Sequence, residues 1–237
     1  MRSKIEQIVS WLKEVIGEKS AVIGVSGGVD SAVVLTLVTQ AIGKERVIPL
    51  LLPYGEQEMG DAKLVSKFNG VEERMRIVNI QPMVEEIVKN LKINDQIRKS
   101  NVMARVRMIT LFDTAKTEQG LVVGTENRSE RELGYYTRFG DSASDVEPIV
   151  GLYKTEIWEM AKELGLPEIF YTKKPSAELW AGQSDEEEMG FSYQEADRVL
   201  RGELEGVEER VRAQVRERVD KQKFKKEVPY EICSDVE

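Results

Sequence analysis

The chain contains no histidine in its 237 residues. That absence removes Ser-His-Asp triads, histidine general bases and His-ligated metal sites. There is one cysteine, Cys233, which excludes an internal disulfide framework and cysteine-cluster zinc and fits a reducing cytoplasm. Any metal is therefore a hard cation held by carboxylates and phosphates, with Mg²⁺ the leading candidate. No run reaches the ~18 consecutive apolar residues of a membrane span, and the opening residues lack a signal-peptide core, so a cytoplasmic protein that does not engage membranes is expected. Positive charge is in the minority: 34 Lys and Arg face 42 Asp and Glu, a formal net charge of -8. That argues against nucleic acid as a partner and leaves room only for a local basic pocket.

What is present is a globular composition, 41% apolar with a heavily charged 32%. The length predicts one large domain over residues 1–237. Apolar residues at Ile5, Ile8, Val9, Leu12, Val15 and Ile16 predict an amphipathic helix ending at Gly17. Continuous apolar runs at 21–25, 47–52, 75–80 and 121–124 predict strands buried on both faces. Between them lie predicted helices at 30–42, 61–68, 82–91 and 101–117. Alternation of this kind implies parallel βαβ units, hence an α/β fold: a Rossmann-like, doubly wound, mostly parallel sheet with helices on both faces. After Gly124 a loop-rich stretch runs to Leu152, followed by a helix over 153–164 and a Pro- and Lys-containing loop. A helical C-terminal extension over 194–224 carries Val207, Val211, Val215 and Val219 every fourth residue, one apolar stripe.

The sharpest local signal is Ser26-Gly27-Gly28-Val29-Asp30-Ser31, between a predicted buried strand and a predicted helix. The glycines permit positive φ and close backbone approach to a ligand. Successive N–H groups at a helix start form an anion cradle, and Ser26 and Ser31 add hydroxyls. Asp30 would repel a bare phosphate, so its presence makes sense if a divalent cation bridges the two. The plain alternative is a Gly-containing turn with Asp and Ser capping the helix. Glu130 follows the last predicted strand at the sheet edge where α/β proteins bind ligands, and could meet the same metal as Asp30. Taken alone, it reads as well as a surface carboxylate.

The 26–31 loop resembles that of the N-type ATP pyrophosphatases, whose S-G-G-x-D-S segment holds the pyrophosphate end of ATP, on an adenine nucleotide α-hydrolase-like fold. The second half is similar to the ammonia-dependent NAD synthetase family within that superfamily. Tyr135 to Asp145 resembles its F-x-T-K-x-G-D-x-x-x-D segment, and Gly151-Leu152-Tyr153-Lys154 its G-L-x-K. Lys174-Pro175-Ser176-Ala177-Glu178-Leu179 resembles x-P-[ST]-A-[DE]-L, and Gln183-Ser184-Asp185-Glu186 with Gly190 and Ser192-Tyr193 its Q-S-D-E…G-x-S-Y. Asn101-Val102-Met103-Ala104-Arg105-Val106-Arg107-Met108 matches N-x-x-A-R-x-R-M. The elements occur in family order from about Ser26 to Leu200.

The resemblance implies a C–N ligase of NAD biosynthesis: ATP-dependent amidation of deamido-NAD by ammonia through an adenylated intermediate, with AMP and pyrophosphate released. It implies that Gly24, Val25, Ser26, Gly27, Gly28, Val29, Asp30, Ser31, Thr125, Lys154 and Ser176 hold ATP, the co-substrate. Asp30 and Glu130 would hold Mg²⁺, and Asn101, Arg105, Arg138, Asp145 and Lys225 would contact the dinucleotide. Lys154 would steady the leaving pyrophosphate, and a carboxylate such as Asp145, or phosphate itself, would take a proton from ammonium; Lys154 and Asp145 are the candidate catalytic pair. A homodimer built around the helix of Arg105 is expected. No glutaminase domain is expected, so the ammonia would be free or come from a separate glutaminase.

Departures from the family pattern are Phe224 for the tail histidine that precedes Lys225, Arg138 for lysine, Leu51 for arginine, Tyr54 for histidine, and Glu126-Asn127 for Asp-His. The alternatives are another N-type ATP pyrophosphatase that amidates or thiolates a different substrate, and a non-catalytic ATP-binding protein. One cysteine and a net acidic charge weigh against the thiolating kind.

Overall fold

In the computed structural model, residues 1–176 and 184–227 are described. Helix α1 (Arg2–Ile16) lays Ile5, Leu12 and Ile16 inward and stops at Gly17, whose φ of 57° suits glycine. Strand β1 (Ser20–Gly24) leads into α2 (Val29–Ile42), then β2 (Val47–Leu51), α3 (Gly60–Phe68), β3 (Arg76–Ile77), α4 (Gln81–Asn90), α5 (Gln96–Thr117) and β4 (Gly120–Val123). The strands form one parallel sheet in the order β3-β2-β1-β4. The chain thus winds outward from β1 to β3 and returns to place β4 on the other side of β1. Such a reversal opens a crevice at the carboxyl ends of β1 and β4, where open α/β sheets bind ligands.

Both faces are covered, as the continuous apolar runs predict. Ala21 and Ile23 of β1, with Val47 and Leu51 of β2, pack into one cluster with α1, α2 and α7 (Lys154–Glu163). Val22, Ile48, Leu50 and Val122 point the other way, against Val84 of α4 and Met103 and Val106 of α5. The alternation follows the two-residue period of strand side chains. Helix α2 is apolar nearly all round, with Ala32, Val33, Val34, Leu35, Leu37 and Val38 fully buried.

A third cluster organises the C-terminal segment. Leu133 of α6 (Arg128–Leu133) meets Tyr193 and Ala196 of α10 (Tyr193–Arg201) and Val207, Val211 and Val215, the last two on α11 (Glu209–Gln222). The short helices α8 (Ile169–Thr172) and α9 (Asp185–Met189) complete the set.

Three expected elements are redrawn. The strand expected over 75–80 is regular only at Arg76–Ile77, both exposed. Beyond it Val78 and Ile80 still donate to Leu51 and Pro53 carbonyls, at 2.9 Å each, but Pro53 has no N–H to return and the ladder cannot close. Helix α5 starts ahead of the predicted residue 101, because Asp95 caps it by accepting from the Arg98 N–H at 2.7 Å. The C-terminal helical segment is two helices, separated where Gly202 takes a left-handed φ of 80°.

Val215 is 1% exposed in the third cluster. Val215→Ala is expected to lower unfolding stability by about 2 kcal/mol, read from urea midpoints.

Candidate functional site

The turn after β1 crosses the crevice with Gly27 at φ 93°. A Cβ there would meet Asp61 Cβ at 2.9 Å and the Ala62 N at 3.0 Å, so both conformation and space demand glycine. The Gly28 N–H donates to Ser26 Oγ at 3.2 Å, and Ser31 Oγ donates to the Gly28 carbonyl at 3.0 Å. These bonds hold the turn open over the start of α2, whose first-turn N–H groups have no helical partner of their own. The result is a polarised, positive rim at the carboxyl end of β1.

Lys154 opens α7 and is 3% exposed. Its Nζ donates to Asp30 Oδ2 at 2.5 Å and Glu130 Oε1 at 3.1 Å, and lies 5.0 Å from the centre of the Tyr193 ring. Residues from α2, α6, α7 and α10 therefore meet at one ammonium. Burial alone would weaken the charge on Lys154, but the carboxylates of Asp30 and Glu130 outweigh it and hold its pKa above the ordinary lysine value. Burial, reinforced by the Asp30 charge, pushes the Glu130 carboxyl upward against the pull of Lys154. Asn127, fully buried, joins the pair: its Nδ2 donates to Asp30 Oδ1 at 2.9 Å, and its Oδ1 accepts the Glu130 N–H at 2.9 Å as the cap of α6.

Asp30 and Glu130 thus already aim at a common cation. Among the described residues, no group of three or more metal-ligating side chains is assembled. Two carboxylates whose remaining partners are phosphate oxygens are the donor set that suits Mg²⁺, which is held by few protein groups and completed by substrate and water.

These groups face a cavity of about 470 Å³. Residues 24–31, Thr125, Glu130, Lys154 and Ser176 line it, as do Asn101 and Lys225. Arg105, Arg138 and Asp145 are not among its lining residues. Arg105 reaches the Arg138 carbonyl at 3.2 Å. The Arg138 guanidinium sits 5.5 Å from the rings of both Phe139 and Phe224, the latter at the position where the family has histidine. The Asp145 carboxylate accepts the Val122 N–H of β4 at 2.8 Å, a backbone role that sets it apart from Lys154. Lys225 donates to the Gly134 and Tyr136 carbonyls at 2.6 and 2.8 Å and so ties down the loop after α6. Ala177, Glu178, Leu179, Gln183 and Cys233 lie outside the described residues.

Several groups at the site escaped the sequence reading. Arg107 lines the cavity from α5 and donates to the Leu52 carbonyl at 3.1 Å and to Gln57 Oε1 at 3.3 Å. Burial draws its pKa down to about 10. Leu51, standing where the family has arginine, is fully buried in the sheet, so the cation in this corner comes from α5. Tyr54 donates to Glu85, which also pairs with Lys99 at 2.9 Å. Asn127 was legible as an N-cap from its place just before a short polar stretch; the Arg107 reach, spanning two elements, left no local sign.

Beside the crevice lie two further carboxylates. Burial, then the neighbouring Glu147 charge, raises Glu126 to about 7; burial raises Glu147 to about 6 against a hydrogen bond from Ser144. The Glu147 Oε2 is buried without a hydrogen-bond partner, and its carboxylate fills the space beside Gly124.

A glycine turn at the switch point of a parallel sheet, facing a buried lysine across the crevice, is the arrangement of a nucleotide-binding α/β protein. The sequence profile of the NAD synthase family matches residues 4–229, and the chain belongs to that family. It is 48% identical over 198 residues to an NH(3)-dependent NAD(+) synthetase of Pyrococcus horikoshii, covering 83% of this chain and 76% of that one. A second, from Thermoplasma acidophilum, is 46% identical over 200 residues, covering 83% and 82%. Among solved structures, the NMN synthetase of Francisella tularensis superposes with a TM-score of 0.89 at 31% identity, covering 98% of both chains. The NH3-dependent NAD synthetase of Campylobacter jejuni gives 0.83 at 30%, covering 98% and 99%.

Because Glu126 and Glu147 hold protons more tightly folded than unfolded, their protonation stabilises the fold. That contribution is complete below the ordinary glutamate value of 4.5 and is lost as pH rises through about 6 and about 7. The Glu126→Gln, Glu147→Gln double variant is expected to gain stability relative to the parent between pH 5 and pH 8, measured as the difference in urea midpoints across that range.

Proposed function

We propose that this chain is a cytoplasmic ligase that amidates deamido-NAD with ammonia at the expense of ATP, releasing AMP and pyrophosphate. The observation that carries the reading is the shared cavity, in which the glycine turn, Lys154 and Glu130 face Asn101 and Lys225. The names of the Pyrococcus and Thermoplasma relatives support it.

In the first step an oxygen of the nicotinate carboxylate attacks the α-phosphorus of ATP and pyrophosphate leaves. In the second, the ammonia lone pair attacks the adenylated carbonyl carbon; the C–N bond forms, AMP departs with the C–O electron pair, and the nitrogen sheds a proton. The turn at 26–31 orients the triphosphate through N–H groups at the start of α2. Lys154 supplies a fixed positive charge where charge accumulates on the leaving group, in a site already largely closed to water. Asp30 and Glu130 would hold Mg²⁺ against the phosphates, and the ion, when bound, neutralises the charge that opposes approach of one anion to another. Asp145, which accepts the Val122 N–H of β4 through one oxygen only, or phosphate itself, takes the proton that the nitrogen sheds.

Arg105 and Arg138 stand outside the cavity, and α5 exposes Ile97 and Ile109 at 67% and 57%. A homodimer formed across α5 would cover those side chains and bring a second copy over the outer half of the dinucleotide. Ammonia would arrive free or from a separate glutaminase. No described helix is long and apolar enough to cross a membrane.

Incubation with ATP, Mg²⁺, ammonium and deamido-NAD is expected to give NAD and AMP in equal amounts, by chromatography. ADP in place of AMP would overturn the proposal, and preferred amidation of nicotinate mononucleotide would reassign the substrate.

Lys154→Met leaves two partly buried carboxylates facing each other and is expected to cost about 3–5 kcal/mol of stability. Mg²⁺ alone is expected to restore part of the lost melting temperature in the variant while leaving the parent unmoved, by differential scanning fluorimetry with and without the ion.

A further inference from the structure

Asp197 on α10 is 1% exposed. Its Oδ2 accepts the Thr155 N–H at 2.9 Å, in the first turn of α7, and its Oδ1 accepts the Ser129 hydroxyl. Ser129 Oγ in turn accepts the Lys154 N–H at 2.8 Å. A serine hydroxyl has one proton. With that proton committed to Asp197, the oxygen lone pairs are left to accept from Lys154, so the carboxylate sets the direction of the whole relay.

The chain positions give this relay its meaning. Ser129 precedes Glu130, and Thr155 follows Lys154. One carboxylate therefore holds a group beside each of the two residues whose side chains meet at 3.1 Å across the crevice: the Ser129 hydroxyl next to Glu130 and the Thr155 N–H next to Lys154. Helix α10 reaches the Lys154 ammonium itself through Tyr193, one turn before Asp197. Burying a carboxylate is costly unless it is hydrogen-bonded, and a hydrophobic contact would join α10 to α7 at less expense. Charge at this point also favours the start of α7, where N–H groups are exposed.

We propose that Asp197 is a positioning residue for the ligation: through Ser129 and Thr155 it fixes the register of α6 against α7 and so aims Lys154 and Glu130 at the triphosphate. This rests on the role given to Lys154 above. The C-terminal helices then belong to the reaction centre although none of their carboxylates need touch substrate.

The test is Asp197→Asn, assayed for NAD formation with all substrates saturating and then with deamido-NAD varied. The amide accepts one of the two bonds but presents N–H to the other donor. The expected result is a fall in kcat of about 10²-fold with KM for deamido-NAD within about twofold of the parent. Val215→Ala serves as the control for lost stability in the same helical cluster and is expected to keep its kcat. Asp197→Glu is expected to recover part of the loss. Should Asp197→Asn fail to fold, Ser129→Ala breaks the same relay at its middle and is expected to show the same split between kcat and KM. Turnover by Asp197→Asn, or by Ser129→Ala in its place, that falls no further than in Val215→Ala would overturn the proposal. Absence of NAD formation by the parent chain would instead overturn the ligase reading, and this proposal with it.

Discussion

The structure turns on one buried ammonium. Lys154 sits between Asp30 and Glu130, and these three residues come from helices that follow different parts of the sheet. Each charge is costly to withdraw from water, and their mutual attraction repays that cost only while geometry is kept. The site is accordingly all-or-none. Removal of the lysine leaves two facing carboxylates, and removal of either carboxylate leaves the cation under-compensated. A triad of this kind is poor as a stabilising device but good at fixing which surfaces face each other, and what it fixes here is the phosphate turn against α6 and α7.

The sheet explains why such an arrangement is available. Reversal of strand order between β1 and β4 leaves their carboxyl ends side by side with no helix between them. The glycine turn leaves one strand and Thr125 leaves the other, so backbone donors and side chains from distant parts of the chain converge at one edge of the sheet. Arg107 and Lys225 then brace the rim by donating to backbone carbonyls, at Leu52 and at Gly134 and Tyr136. Cations spent on carbonyls hold loops in place and still leave positive potential facing the cavity.

The parts legible in the sequence were those with a local cause. Buried strands show as apolar runs, the phosphate turn as glycines between a strand and a helix, and the valine stripe as a helix face. The short β3 was misjudged because Met75 to Ile80 is apolar enough to be a strand, while the obstacle, Pro53, lies on the neighbouring chain segment. Glu130 alone could not be told from a surface acid; only its meeting with Lys154 decides, and that contact joins residues 24 apart. Asp145 is a case of another kind. Its place in a family-like segment implies a part in catalysis, and the fold adds a structural tie that no local pattern announces, one carboxylate oxygen accepting the Val122 N–H of β4.

Each residue that departs from the family pattern has contacts of its own in the fold. Where arginine is usual in β2 there is Leu51, fully buried, and Arg107, which belongs to the family-like segment of α5, donates to the carbonyl of the next residue, Leu52. Where histidine is usual after β4 there is Asn127, which keeps a donor toward Asp30 and adds a cap to α6 that a protonated imidazole could not supply, since it has no acceptor to offer the Glu130 N–H. Where histidine is usual in the tail there is Phe224, which replaces a hydrogen bond by an aromatic face against Arg138. A chain without histidine has no side chain whose unperturbed pKa lies near 7. Raised carboxyls must then carry titration in that range, and two of them, Glu126 and Glu147, flank Gly124 at the end of the strand that delivers Thr125 to the cavity.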